Sequence, residues 1–365
     1  MESPMIRYLG PEEKQLCRPL WEEAFPEDTR EFLDNYFERK MKENRVLAAL
    51  DGESGGVLSM IHLNPYELVA GDRRFKADYL VACATARRVR GQGYNRELVN
   101  RLLADLYREG APVTFLAPAI PERYRKVGFE YVSLPPEARL RQETPVTARP
   151  LPRGDTELYA DVALWMNRWL GERFQVYAHR DAAYVENLVM ELASDDGVLE
   201  QLFLGDERIG LRAFWGRTKR EQRLLYCADG SLTGEYPCSG PGIMARVVNA
   251  PAFLSGFGVN GDCPCQEMEV PLVIRDPQME ENNGLFCWRL NANGSTLRRP
   301  GASGGVGPDG AGLLVSSEAL ALTPGQLAAW LWGYRTLEEL EPDSGIPYWC
   351  GFVRTLKGVF LDEVV

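Results

Sequence analysis

The sequence predicts a mixed α/β chain built from two or three compact units. Its 365 residues exceed what one domain usually holds. Apolar strand-like runs alternate with an amphipathic helical stretch in the first third. Proline- and glycine-rich segments punctuate the chain at Ser133–Asp155, Ala228–Gly242 and Asn291–Gly312. The first two divide it into residues 1–137, 138–242 and 243–365, and the third reads as a long loop inside the last unit. No internal period of 20–50 residues repeats.

In the first unit, Val46–Leu50 and Val57–Leu63 read as strands, with Asp51-Gly52 and Gly55-Gly56 turning the chain between them. Ala77–Thr85 is a third apolar run. The stretch YNRELVNRLLADLYREG then places Leu98, Leu102, Leu103, Leu106 and Tyr107 on one helical face and stops at Gly110. Val113–Ile120 is strand-like again, which makes a βαβ element the centre of the unit. The middle unit opens with the helical ELYADVALWMNRWL, continues with a helix over Ala183–Leu192, and ends in strands at Gln201–Leu204, Ile209–Trp215 and Arg223–Cys227. The last unit starts with MARVVNAPAFLSG, followed by strands at Glu269–Ile274 and Gly312–Ser316 and a helix over Gln326–Trp332. Thr323-Pro324-Gly325-Gln326 offers that helix an N-cap, a first-turn proline and a capping-box glutamine.

Composition narrows the function. Hydrophobic residues make up 45% and charged residues 25%, the balance of a globular protein, and 35 glycines without a G-X-Y period exclude collagen. No apolar run approaches the roughly 18 residues of a membrane-spanning helix. The opening MESPMIRYLGPEEKQ has no basic region followed by an apolar stretch, so the expected compartment is the cytoplasm. A net charge of −11 disfavours nucleic acid and anionic lipid as partners and favours cations. The eight cysteines show no zinc spacing, and a reducing compartment makes free thiols the expected state. With two histidines in the chain, His-rich metal sites are not expected.

The informative segment is Cys83-Ala84-Thr85-Ala86-Arg87-Arg88-Val89-Arg90-Gly91-Gln92-Gly93-Tyr94. An apolar strand ends, arginines and glycines turn the chain, and a helix begins. Glycines let backbone approach a ligand, the free N–H groups of a first helical turn point at it, and arginine adds charge-assisted bonds. That is a seat for a pyrophosphate. No Gly-Lys-Ser/Thr follows, so it is not a P-loop. The Arg88-x-x-Gly91-x-Gly93 spacing resembles the acetyl-CoA motif of the GNAT acetyltransferase superfamily. Pro121-Glu122-Arg123-Tyr124-Arg125-Lys126-Val127-Gly128-Phe129 is similar to the tyrosine-to-"GF" segment that follows the fifth GNAT strand. The opening Leu20–Asp28 and Phe32–Phe37, and the tail segments Arg246–Leu254 and Leu331–Tyr334, extend the likeness. Together they resemble the enhanced-intracellular-survival (Eis) acetyltransferase family across most of the chain.

That resemblance implies a GNAT domain with a mixed sheet, a degenerate second GNAT-like domain and a C-terminal sterol-carrier-like α+β domain. It implies acetyl-CoA as cosubstrate, no metal, a small cationic amine as acceptor and a homo-oligomer. Val81, Ala82 and Cys83 would lie beside the pantetheine arm, and a pantetheine amide chain can pair with a splayed strand as an added peptide would. Arg88, Val89, Arg90, Gly91, Gln92, Gly93 and Tyr94 would hold the pyrophosphate, and Ala119 and Ile120 would line the acetyl end. Tyr124 would be the general acid for the departing thiolate. The C-terminal carboxylate, here on Val365, would be the general base, although a free α-carboxylate with pKa near 3.5 is a weak base unless burial raises it.

Other features weigh less. Gly305-Val306-Gly307-Pro308-Asp309-Gly310 satisfies G-x-G-x-x-G but lacks a preceding strand and a following helix, so it reads as a loop. The Asn293-Gly294-Ser295 sequon carries nothing without secretion. His62 and His179 read as structural, and Cys263/Cys265 lacks a second ligand pair. Glu22, Glu23, Glu27, Asp28 and Asp34 form an acidic cluster that is a solvated face or a rim for a cationic substrate. Glu27 stands where the resembled family has a substrate-side acid. The expected function is therefore transfer of an acetyl group from acetyl-CoA to a primary amine of an aminoglycoside, polyamine or lysine-like acceptor. The alternative is a non-catalytic acyl-CoA or lipid-binding protein, and a transferase of longer acyl groups is a third reading.

Overall fold

The computed structural model describes residues 4–134, 137–142, 144–216, 220–236, 242–301 and 313–363. β1 (Met5–Tyr8) leads through a 3-10 turn into α1 (Arg18–Ala24), α2 (Arg30–Glu38) and α3 (Lys40–Glu43). Thr29 starts α2 by accepting the Phe32 N–H at 3.1 Å. β2 (Arg45–Leu50), β3 (Val57–Ala70) and β4 (Arg73–Thr85) form an antiparallel meander. β3 and β4 run well beyond their apolar cores because a tight turn at Gly71-Asp72 carries the pairing out to Ala70 opposite Arg73. Then follow α4 (Tyr94–Arg108), β5 (Val113–Leu116), α5 (Pro121–Arg125) and β6 (Glu130–Ser133). The strand-like run ending at Ile120 is strand only to Leu116, because Pro121 opens α5 and the chain turns to meet it.

The middle of the chain supplies β7 (Glu137–Leu140), β8 (Thr147–Pro150), α6 (Thr156–Gly171), β9 (Val176–Ala178) and α7 (Ala182–Ser194). β10 (Val198–Leu204), β11 (Glu207–Trp215), β12 (Glu221–Cys227) and β13 (Thr233–Tyr236) complete it. Asp155 and Asp181 cap α6 and α7 through the N–H groups of Leu158 and Tyr184. The last part contains β14 (Ile243–Val247), α8 (Ala250–Leu254), β15 (Glu267–Ile274), β16 (Gly284–Asn291) and β17 (Gly294–Arg298). It ends with β18 (Leu313–Val315), β19 (Leu320–Leu322), α9 (Pro324–Leu331), α10 (Leu337–Leu340) and β20 (Val359–Phe360). Thr323 and Gln326 close a reciprocal capping box at the start of α9.

One large sheet draws strands from all three parts of the chain. Its order is β1-β2-β3-β4-β5-β14-β6, with β9 pairing with β3 and β20 pairing with β9. β14, the first strand of the last unit, lies between β5 and β6, antiparallel to both. The central strands form β12-β11-β10-β8, and the last unit forms β17-β16-β15-β18 with β19 also on β15.

Two cores meet at the large sheet. On one face Leu98, Leu102, Leu103 and Leu106 of α4 pack against Leu80, Ala82 and Ala84. The other core runs from Tyr79 and Phe115 into the last unit, where Trp288, Trp332 and Trp349 are fully buried. At this junction the buried Arg246 of β14 donates to Asp276 and to the Val127 carbonyl, both at 2.5 Å. That arrangement ties the last unit to the turn that follows α5.

Candidate active site

β4 and β5 run parallel but share a single paired position, Tyr79 opposite Phe115. Past it the strands part and open a cleft toward their C-terminal ends. A bulge sits on the β4 side of that cleft. Val81 is opposite His62 and Ala84 is opposite Met60, so two residues of β4 face one of β3, and Ala82 takes a left-handed backbone (φ 49°). The bulge removes two residues from regular pairing at the positions assigned to a pantetheine arm.

Arg87–Val89 then forms a short 3-10 turn, and Gly91 and Gly93 take left-handed backbone (φ 83° and 93°) before α4 begins at Tyr94. A side chain at Gly91 would meet nothing within 4 Å, so the backbone there is open to a ligand. α4 has 15 residues, and its first turn brings unpaired N–H groups and the positive end of the helix dipole. Arg88 reaches Asp51 at 3.2 Å, and Arg90 donates to the Thr85 carbonyl at 3.1 Å. Val89 is buried, so its contribution to a ligand is its backbone. Gln92 is exposed, and Tyr94 is half-buried against the α4 core.

Across the cleft, α5 carries Tyr124. Its ring packs edge-on against Phe129 at 5.9 Å, held by the Gly128 turn (φ 82°). Its hydroxyl donates to the Cys83 sulfur, so the structure brings a phenol from the β5 side onto the bulged strand. The neighbouring sulfur and burial push the Tyr124 pKa up, and burial pushes the Cys83 thiol up to about 11. Both groups keep their protons at neutral pH. Ala119 and Ile120 lie between β5 and α5 and are exposed.

On the α1–α2 side, Glu27 is exposed in the connecting turn. Its neighbour Asp28 is the better-held acid. It accepts the Trp21 indole N–H at 2.7 Å, and burial raises its pKa. Glu22 and Asp34 pair with Arg18, and Glu23 accepts the Arg87 N–H at 2.6 Å. His62 is fully buried against Trp21 and Tyr36, and desolvation pushes its pKa down to about 3. It is a neutral wall residue, as is His179, whose backbone N–H donates to the Glu67 carbonyl at 2.8 Å.

Val365 lies outside the described residues, as does the Gly305–Gly310 loop. The tail is described to Glu363, and its course is inward. Leu361, Asp362 and Glu363 are all buried. Arg180 donates to Asp362 at 2.7 Å and to Glu363, and Tyr226 donates to Asp362 at 2.8 Å. The Glu363 charge acts on the phenols of Tyr66 and Tyr79, and Tyr66, Tyr79 and Phe115 pack ring on ring at 5.2–6.0 Å. Asp28, Tyr79, Arg180 and the Asp362-Glu363 pair were not singled out from the sequence. An Asp-Glu pair near the end of a chain reads as a solvated tail, and nothing local announces its partner 180 residues away.

Among the described residues, no three His, Cys, Asp or Glu side chains converge as metal ligands, and no helix is long and apolar enough to cross a membrane. Residues 5–132 match the GNAT acetyltransferase domain family, and residues 250–344 match the sterol carrier protein domain family. No curated protein matches the sequence. Solved structures share the fold at low identity. A conserved protein of Enterococcus faecalis V583 aligns with TM-score 0.71 at 16% identity, covering 98% of this chain and 94% of its own. A GCN5-related N-acetyltransferase from Kribbella flavida aligns with TM-score 0.69 at 15% identity, over 100% and 99%. Eis1 from Mycobacterium abscessus aligns with TM-score 0.64 at 15% identity, over 99% of both chains.

Proposed function

From a chain that carries a GNAT acetyltransferase domain followed by a sterol carrier protein domain in an Eis-like fold, we propose an N-acetyltransferase that moves an acetyl group from acetyl-CoA to a primary amine. The observation that carries this reading is the Tyr124 hydroxyl, which stands across the β4–β5 cleft within hydrogen-bonding reach of the Cys83 sulfur on β4.

The resemblance supplies the assignments, and the bulge of β4, the glycine turn and the position of Tyr124 support them. Backbone at Val81, Ala82 and Cys83 takes the pantetheine arm where the bulge frees it from pairing. The turn from Arg88 to Tyr94 takes the pyrophosphate, with Gly91 and Gly93 allowing close approach and the first turn of α4 supplying N–H groups. Ala119 and Ile120 flank the acetyl end. The neutral amine attacks the thioester carbonyl, the C–N bond forms, and the C–S bond breaks as Tyr124 donates its proton to the departing sulfur. The amine's proton passes to a base, the role given to the Val365 carboxylate. Glu27 and Asp28 form the acidic rim for a cationic acceptor, which the net charge of −11 also attracts.

The lipid-binding alternative finds less support. Trp288, Trp332 and Trp349 are fully buried in the last unit, and its pocket of about 460 Å³ is rimmed by the charged Arg335, Glu338, Glu339 and Lys357. The test is free-thiol release from acetyl-CoA with aminoglycosides, polyamines and lysine peptides. Wild type runs beside Tyr124→Phe and beside a chain lacking Val364 and Val365. Turnover lost in both variants supports the two assigned roles. Acetyl-CoA that does not bind refutes the reading.

A further inference from the structure

Among the described residues, the central part of the chain holds a fully buried cation that is paired with two carboxylates. Arg180 has no exposed side-chain surface, and one guanidinium serves two carboxylates: Asp362 at 2.7 Å and Glu363. Around them, Tyr226 donates to Asp362 Oδ2 at 2.8 Å and Arg223 donates to the Asp362 carbonyl at 2.7 Å. The ring of Tyr184 lies under the Arg180 guanidinium at 4.2 Å. Three side chains from β12 and the β9–α7 connection thus converge on two consecutive residues of the tail, and Tyr184 of α7 backs one of them.

The tail they hold joins two edges of the large sheet. β20 pairs with β9, which pairs with β3 at Leu68–Ala70. One residue later, Leu361 donates its N–H to Ser133 Oγ of β6 at 3.1 Å, and that hydroxyl lies 3.3 Å from the Leu361 carbonyl. The strands between those edges include β4 and β5, which carry the cleft. Oε2 of Glu363 is buried without a hydrogen-bond partner, close enough for its charge to act on Tyr66 and Tyr79. Tyr79 is the residue of β4 that pairs with Phe115 of β5 at the base of the cleft.

We propose that Arg180 is a positioning residue for acetyl transfer: it fastens Leu361–Glu363 across the edges of the large sheet, so that the tail becomes a fixed wall of the reacting cleft. This rests on the proposed function above. The central part of the chain then contributes to the reaction as the holder of that wall. A side chain displaced by about 1 Å from its working position can cost a hundredfold in rate, so releasing the tail should be read in kcat.

The experiment compares full-length wild type with Arg180→Gln, Arg180→Lys and Ser133→Ala. Each is assayed for kcat with an active amine, for acetyl-CoA affinity by calorimetry, and for carboxypeptidase digestion followed by mass. In wild type, Leu361–Glu363 resist digestion. In Arg180→Gln digestion proceeds through Leu361, kcat falls about a hundredfold, and acetyl-CoA affinity stays within about twofold because the pyrophosphate turn is untouched. Lysine can serve one carboxylate and not two, so Arg180→Lys recovers part of the loss. Ser133→Ala loosens the second fastening and moves the same readouts less. A folded Arg180→Gln whose tail is as protected as wild type overturns the proposal. So does an acetyl-CoA affinity that falls in step with kcat. If Arg180→Gln does not fold, Ser133→Ala decides: wild-type kcat and wild-type protection overturn the proposal. If wild type acetylates no amine, the proposed function falls, and digestion still judges whether Arg180 fastens the tail.

Discussion

Replacing Tyr124 by Phe removes one oxygen and leaves the ring in place against Phe129 at 5.9 Å. The lost hydroxyl donates to the Cys83 sulfur, a weak acceptor, so folding stability should change by less than about 1 kcal/mol. Catalysis should change far more. A positioned proton donor is worth about 10² to 10⁴ in rate, or about 2.7–5.5 kcal/mol of barrier at 1.36 kcal/mol per tenfold. The cleft explains why the phenol is suited to the task. Burial and the adjacent sulfur raise its pKa, so it keeps its proton well above neutral pH and gives it up only to a strong base such as a thiolate in the act of leaving. The assay is thiol release at saturating acetyl-CoA and amine, with acetyl-CoA affinity by calorimetry and stability by urea unfolding on the same preparations. The expected pattern is a large fall in kcat with affinity and stability held. A Tyr124→Phe enzyme within threefold of wild type would remove the phenol from the chemistry.

Three further outcomes follow from the described geometry. His62 has a folded pKa near 3 against about 6.5 unfolded, so below pH 6.5 the unfolded chain binds a proton that the folded one excludes. Its stabilising effect is full above pH 6.5 and is lost by about 1.4 kcal/mol per pH unit below it, or about 2 kcal/mol at pH 5. His62→Gln should remove that slope in urea unfolding compared at pH 7.5 and 5.0, and an unchanged slope would place the dependence elsewhere. Asp276→Asn leaves the fully buried Arg246 without its carboxylate and should cost about 3–5 kcal/mol in the same assay, with a loss under 1 kcal/mol contradicting the junction described above. Gly93→Ala places a side chain at φ 93° with Arg96 3.7 Å away. It should cost about 1–2 kcal/mol of stability and weaken acetyl-CoA binding. Gly110→Ala, at φ 76° in open space, should cost stability alone.

The glycine–arginine turn proposed for the pyrophosphate was legible as a turn because its physics is local. Two glycines, three arginines and a helix start lie within eight residues, and the structure gives those glycines left-handed backbone. Tyr124 was legible for the same reason, through the Gly128-Phe129 turn four residues on. The capping box at Thr323 and Gln326 needs only adjacent residues, and it forms. What escaped depends on distant partners. Val176–Ala178, three residues long, gives no periodic signal, yet it bridges β3 and β20. Ile243–Val247 has the composition of any buried strand, and only its insertion between β5 and β6 reveals its sheet. Asp28 resembled its exposed acidic neighbours until Trp21 was seen to hold it. Arg180 carried no sign of a role because its two carboxylates come from the far end of the chain.

The order of strands in the large sheet has a consequence for synthesis on the ribosome. β5 ends at Leu116 and its neighbour β14 begins at Ile243, about 127 residues later. At a translation rate of about 5–20 residues per second, that edge waits roughly 6–25 s for its partner. The edge of β3 that β9 will cover waits as well, and β20 follows the end of β9 by about 181 residues. An apolar strand edge held open for that long is a site for wrong pairing. A chain that stops after the first unit keeps that open edge permanently. Expressing residues 1–137 alone should give an insoluble product, whereas restoring the later strands in trans should recover it.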